Sequence, residues 1–111
     1  LAIYALRMKK MLQQSQINII INAMLPYKPV IIGIFGSTAR GDESENSDID
    51  ILYQLRDSVG LFKLIRLKDE LEQKLNKKVD LISEKYTHPK LKPYIMKDLK
   101  IIYNDETSGS V

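Results

Sequence analysis

The sequence predicts an α+β (α/β-class) domain, a mixed β-sheet with helices packed against it, on three observations. Apolar runs of strand length alternate with segments whose apolar residues recur every three or four positions, in the order helix, strand, loop, strand, helix, strand, helix, strand. A Gly36-Ser37 break ends the first strand, and Asp48 and Asp50 open the second. If both belong to one site, those two strands run antiparallel, which disfavours a doubly wound parallel sheet. The 111 residues, 44% hydrophobic and 28% charged, supply the core of one domain and fall short of two.

Each element has its own signature. Over residues 3–25 the apolar positions Met8, Met11, Leu12, Ile17, Ile20, Ile21, Met24 and Leu25 suit an amphipathic helix, which Pro26 and Pro29 end in a turn. Val30 to Phe35 is a continuous apolar run, as in a strand buried on both faces. Residues 37–47 form a polar connection with a helical turn starting at Ser37. Ile49 to Leu55 resumes as strand, with Ile49, Ile51 and Tyr53 opposite Asp48 and Asp50. Leu61, Leu64, Leu67, Leu71 and Leu75 make a helical stripe with Phe62 and Ile65 beside it, Ser58 or Asp57 as expected cap, and Arg66–Glu70, Lys68–Glu72 and Glu70–Lys74 as outer-face pairs. Asn76-Lys77-Lys78 closes that helix, and Val79 to Ile82 reads as a third strand. After the Thr87-His88-Pro89 turn, Leu91, Ile95 and Leu99 predict a short helix leading into a last strand or edge segment at Ile101-Ile102-Tyr103. The polar tail from Asn104 is expected to fray.

Composition removes several function classes. The chain has no Cys, which excludes disulfides, thiolate zinc sites and thiol catalysis, and fits a reducing compartment. Its apolar runs are far shorter than the ~20 residues of a membrane-spanning helix, and no signal peptide pattern is visible, so a cytoplasmic protein is expected. The chain opens on Leu1, with Met8 and Met11 as later candidate starts. A net charge of +3, spread along the chain, falls short of a nucleic-acid-binding signature, so direct nucleic-acid binding is not expected; an anionic ligand or acidic partner is favoured.

The chemistry concentrates between Ile34 and Ile51. Aspartates two apart in a strand share a face, roughly 7 Å apart at ~3.3 Å per residue, a workable spacing for carboxylates sharing metal ions beside a phosphate. Rival motifs fail by position. A P-loop needs a Gly-Lys-Ser/Thr that is missing. An EF-hand starting at Asp42 would have Ser47 in place of its Gly and Tyr53 in place of its Glu. The G-x-G-x-x-G spacing of a dinucleotide site is absent. A solvated loop before an edge strand would predict neither the Gly-Ser at the strand end nor a third acid, Asp80, flanked by Val79 and Leu81.

Gly36-Ser37, ten residues, then Asp48-Ile49-Asp50, set in Ile34-Phe35-Gly36-Ser37-Thr38-Ala39-Arg40-Gly41 and Ser47-Asp48-Ile49-Asp50-Ile51, resembles the signature of the minimal nucleotidyltransferase (MNT) family of the DNA polymerase beta-like superfamily. Asp80 matches that family's third acid. The resemblance covers roughly residues 8–103 and implies a single MNT domain over 1–111. It implies a DNA polymerase beta-like nucleotidyltransferase fold with Asp48, Asp50 and Asp80 as catalytic and metal-binding residues. Two Mg²⁺ would be held there, with ATP as nucleotide donor. Gly36, Ser37 and Arg40 would contact the nucleotide. For Arg40 a salt bridge to Asp42, Glu43 or Glu45 is an equal alternative to a phosphate contact. Thr38 and Ser47 read as loop-capping residues.

The resemblance also implies a partner, since minimal members are typically paired with a HEPN-domain ribonuclease toxin. The expected function is a toxin–antitoxin system antitoxin that transfers AMP to a toxin tyrosine (AMPylation). Two alternatives stand beside it: a non-catalytic antitoxin that blocks the toxin by binding, and nucleotidyl transfer to a small-molecule hydroxyl. His88 reads as a turn residue, and Lys77, Lys78, Lys90, Lys92, Lys97 and Lys100 as solvated surface. Tyr86, Tyr94 and Tyr103 read as core-edge residues, or where exposed as part of a protein interface. Exposed helix faces leave a homo-oligomer open without selecting a geometry.

Overall fold

The computed structural model describes residues 12–41 and 48–105. Among them, helix α1 (Gln14–Met24) runs through a 3₁₀ turn (Leu25–Tyr27) into strand β1 (Pro29–Phe35). A short helix α2 (Gly36–Arg40) follows, then β2 (Ile49–Leu55), helix α3 (Leu61–Leu75), β3 (Val79–Ser83), helix α4 (Lys92–Asp98) and β4 (Lys100–Asn104). The strands form one sheet in the order β3-β2-β1-β4. β1 pairs antiparallel with both β2 and β4, and β2 pairs parallel with β3. The sheet is therefore mixed, and the two strands bearing the Gly-Ser break and the acids are antiparallel, as the site required.

Alternation sorts the sheet into two unlike faces. On one, Ile32, Ile34, Ile49, Ile51, Tyr53 and Val79 meet Ile20, Ala23 and Met24 of α1 and Leu67, Leu71 and Leu75 of α3. Side chains such as Ile20, Ile51 and Leu71 lose all contact with water, each contributing about 1.5–3 kcal/mol by transfer. The other face carries Gly33, Leu52 and Asp50 and is only partly roofed, by α4 through Ile95 and by Leu99. A Cβ on Gly33 would lie 2.6 Å from Leu99 Cδ1, so the missing side chain is what lets Leu99 lie flat on β1.

Four local expectations need correction. Helix α3 starts at Gly60 with no side-chain cap; the Gly60 carbonyl takes the first helical N–H groups, from Lys63 and Leu64. Asp57 instead faces Lys28 at 3.8 Å. The leucine stripe meets the core only from Leu64 onward, because Leu61 and Phe62 are 70% and 80% exposed. Of the outer-face pairs, Glu70–Lys74 closes at 2.9 Å, whereas Glu72 accepts the backbone N–H of Val79 and ties the end of α3 to β3. Tyr86 and Tyr94 stand out in solvent, so among the three tyrosines the core-edge description holds for Tyr103 alone. The start of the first predicted helix and the acids Asp42, Glu43 and Glu45 lie outside the described residues.

Candidate active site

The site forms where β1 ends and β2 begins. Phe35 is the register partner of Asp50, so the turn after Phe35 lies directly against the Asp50 side chain. Gly36 takes φ +74°, and a Cβ there would sit 2.5 Å from Asp50 Oδ2. Only glycine meets both demands: left-handed backbone and a carboxylate in contact. Asp80 is the register partner of Asp50 on β3, one interstrand spacing of about 4.8 Å away and on the same face. Asp48, one residue ahead of β2, has the same parity and is exposed.

Two contacts hold Asp48 in place. The Ile49 N–H donates to the Lys78 carbonyl at 2.9 Å, zipping the start of β2 to the start of β3. The Thr38 hydroxyl, on a side chain only 1% exposed, donates to the Asp48 carbonyl at 3.2 Å and joins the two ends of the loop. Thr38 is thus the loop-capping residue that its place in the motif suggested.

Asp50 feels both of the other acids. Partial burial pushes the Asp50 carboxyl above its ordinary range, and the charges of Asp80 and then Asp48 push it the same way. Among the described residues no three acids or histidines converge into a finished metal cage. The donor set still fits Mg²⁺, a hard ion commonly held by one or two carboxylates with substrate phosphate oxygens and water completing its shell. A divalent cation at Asp50 would offset both the burial of its charge and the push from its two neighbours.

Arg40 closes α2 and points to a partner that local sequence could not reveal. Its Nη1 lies 2.7 Å from Asp98 Oδ2, the last residue of α4. The pair fastens the turn after Gly36-Ser37 to the helix roofing the acid face. Ser37, half-buried, lies beside Gly36 on the same turn. His88 does what a turn residue does, its Nδ1 accepting the Lys90 N–H at 3.1 Å.

A mixed sheet with a Gly-Ser turn laid over strand-borne acids is the architecture of nucleotidyltransferases of the DNA polymerase beta kind. The Polymerase beta, Nucleotidyltransferase family matches residues 10–108, and the chain belongs to that family. It is 46% identical over 65 residues to a candidate protein adenylyltransferase of Methanocaldococcus jannaschii, a match spanning 59% of this chain and 70% of that one. It is 45% identical over 51 residues to the protein adenylyltransferase MntA of Thermococcus cleftensis, covering 46% of this chain and 52% of MntA. Among solved structures, a toxin–antitoxin with AMP-PNP superposes with a TM-score of 0.73 at 25% identity, over 85% of this chain and 77% of its own.

Proposed function

We propose that this protein is a protein adenylyltransferase antitoxin that transfers AMP from ATP to a tyrosine hydroxyl of a partner HEPN-domain toxin in the cytoplasm. The observation that carries the reading is the grouping of Asp48, Asp50 and Asp80 on one sheet face against the Gly36-Ser37 turn. The protein adenylyltransferase relatives and the AMP-PNP-containing toxin–antitoxin neighbour support the donor and the partner class.

Nucleotidyl transfer asks for positioning and for neutralisation of phosphate charge. Gly36 leaves the strand end without a side chain, and the Ser37 hydroxyl would hydrogen-bond the triphosphate. Arg40, oriented by Asp98, would add a guanidinium beside it. Asp48, Asp50 and Asp80 would hold two Mg²⁺, which when bound supply charge neutralisation at the phosphates. The acceptor oxygen forms its bond to the α-phosphorus as the bond from that phosphorus to the β-phosphate oxygen breaks. Pyrophosphate leaves with the electron pair, and Asp80 accepts the acceptor's proton.

The test is incubation with labelled ATP, Mg²⁺ and a HEPN-domain toxin protein. Label is expected on a toxin tyrosine, and Asp48→Ala with Asp50→Ala is expected to abolish both labelling and neutralisation. Neutralisation by the double variant without labelling would show an antitoxin that acts by binding. Label on a small molecule in the toxin's absence would move the activity to another acceptor.

A further inference from the structure

Among the described residues, two cavities lie along β2 and β3 at different distances from the acids. The larger, about 460 Å³, lies at the far end of β2 and β3 around Leu55, Arg56 and Tyr86. Its nearest lining residues, Tyr53 and Ser83, follow Asp50 and Asp80 by three positions, roughly 10 Å along the strands and on the opposite face of the sheet from those carboxylates. The smaller, about 150 Å³, is floored by Leu52 and walled by Ile95 and Met96 of α4, with Thr87, Glu84 and Lys92 around it. Leu52 follows Asp50 by two residues on the same face, so the cavity begins roughly 7 Å along the strand from that carboxylate.

From this juxtaposition we propose that the cleft between Leu52, Ile95 and Met96 is the acceptor subsite, taking the aromatic ring of a phenolic acceptor and aiming its hydroxyl at Asp50 and Asp80. The inference rests on the adenylyl-transfer reading above and specifies what that site accepts. Size supports it: an apolar cavity of roughly 150 Å³ lined by aliphatic side chains holds one benzene ring, while a fused purine is larger. The lining supports it too. Leu52 and Ile95 are buried yet belong to no part of the main core, which lies on the opposite sheet face. Met96 is 61% exposed at the mouth, a flexible thioether suited to an aromatic edge. Glu84 and Lys92 approach to 3.9 Å and give the cleft a polar rim where a polypeptide backbone would cross. On the same geometry a serine or threonine would be a poorer acceptor, because it would leave the apolar cleft empty and its hydroxyl unanchored. The Arg40–Asp98 pair then acts on the acceptor side as well, since it holds the helix that forms one wall.

The experiment uses the full chain and the variant Met96→Trp, which fills the mouth from an exposed position. First, 4-fluorophenol is titrated into nucleotide-free protein and followed by fluorine NMR. Saturable binding is expected in wild type and in Asp80→Asn, and its loss in Met96→Trp, with the melting curve confirming that the variant is folded. Second, steady-state labelling of the toxin is measured against both substrates. Met96→Trp is expected to raise KM for the toxin by about tenfold or more, the scale on which one pocket-filling group discriminates, while KM for ATP moves little. An ATP-specific rise would assign the cleft to the base and overturn the proposal. So would unsaturable fluorophenol binding, or binding equal in wild type and Met96→Trp. If wild type labels no toxin at all, the adenylyl-transfer reading fails, and the fluorophenol titration still decides whether the cleft takes a phenol.

Discussion

Gly36 and Asp50 face each other across the β1–β2 pair with no room for a side chain between them: a Cβ on Gly36 would lie 2.5 Å from Asp50 Oδ2, and the backbone there holds φ +74°. Gly36→Ala therefore faces a double penalty. The left-handed conformation costs a residue with a Cβ about 1–2 kcal/mol, and the new methyl must push the carboxylate aside. Misplacing a reacting group by about 1 Å commonly costs on the order of 100-fold in rate. Labelling assays on Gly36→Ala should show a loss on that scale together with a lower Tm. A near-normal rate would mean that catalysis does not depend on the Asp50 carboxylate being held against this turn.

Asp50 also sets a pH dependence, and its sign can be worked out. Its folded-state carboxyl is raised above the ordinary 3.8 by burial, then by Asp80 and Asp48. A group so shifted favours the fold while protonated, and that contribution is lost as pH rises from the unfolded value through the raised folded one. At neutral pH the metal-free protein thus carries a charge its fold disfavours. Asp50→Asn should melt higher than wild type in EDTA at pH 7, with the difference shrinking as pH falls toward 4 and below. Added Mg²⁺ should raise the wild-type Tm and leave the variant nearly unmoved, because binding to the folded state stabilises it by mass action. A variant that melts lower than wild type in EDTA would show that the fold does not disfavour the Asp50 charge, whether through burial or through its acidic neighbours.

What could be read beforehand follows from where each cause lies along the chain. The strands, the stripe of α3 and the acids carry local signals: periodicity, Gly at a strand end, aspartates two apart. The antiparallel pairing was legible because chemistry demanded that Gly36 and Asp48 meet. Asp98 was not legible, since its partner Arg40 is 58 residues away in sequence and nearer acids offered themselves. The bare start of α3 was missed for a related reason. Ser58 and Asp57 are good caps in isolation, but the chain leaves β2 in a turn that puts Gly60 at the helix entry. The exposure of Leu61 and Phe62 was hidden because a helical stripe does not say where its supporting sheet ends.

The Arg40–Asp98 pair separates two roles for Arg40. As an ion pair with one partner 46% exposed, its net contribution to stability should be small, about 0–1 kcal/mol after solvent screening. Asp98→Asn keeps the guanidinium and weakens the pair; Arg40→Gln removes the charge from the nucleotide side. If Arg40 serves the phosphates, Arg40→Gln should raise KM for ATP by roughly tenfold, the worth of one charge-assisted hydrogen bond, and Asp98→Asn should raise it less. Equal effects on KM for ATP from both variants would make Arg40 a fastening for α4 and nothing more.

Thr38 offers a test in which the two halves of one side chain answer different questions. Its hydroxyl reaches the Asp48 carbonyl at 3.2 Å, and the side chain is almost wholly buried. Thr38→Val keeps the shape and removes the donor, at a cost of about 1 kcal/mol for the lost hydrogen bond; it also frees the backbone that presents Asp48. Thr38→Ser keeps the donor and removes a methyl, also costing about 1 kcal/mol, through lost burial. The two variants should therefore melt at similar temperatures and differ in rate. Thr38→Val should lose activity by about an order of magnitude, since a carboxylate on a loosened entry to β2 spends less time in position, while Thr38→Ser stays near wild type. The opposite order, with Thr38→Ser slow and Thr38→Val active, would show that methyl packing beneath α2, and not the hydroxyl bridge, keeps Asp48 in the site.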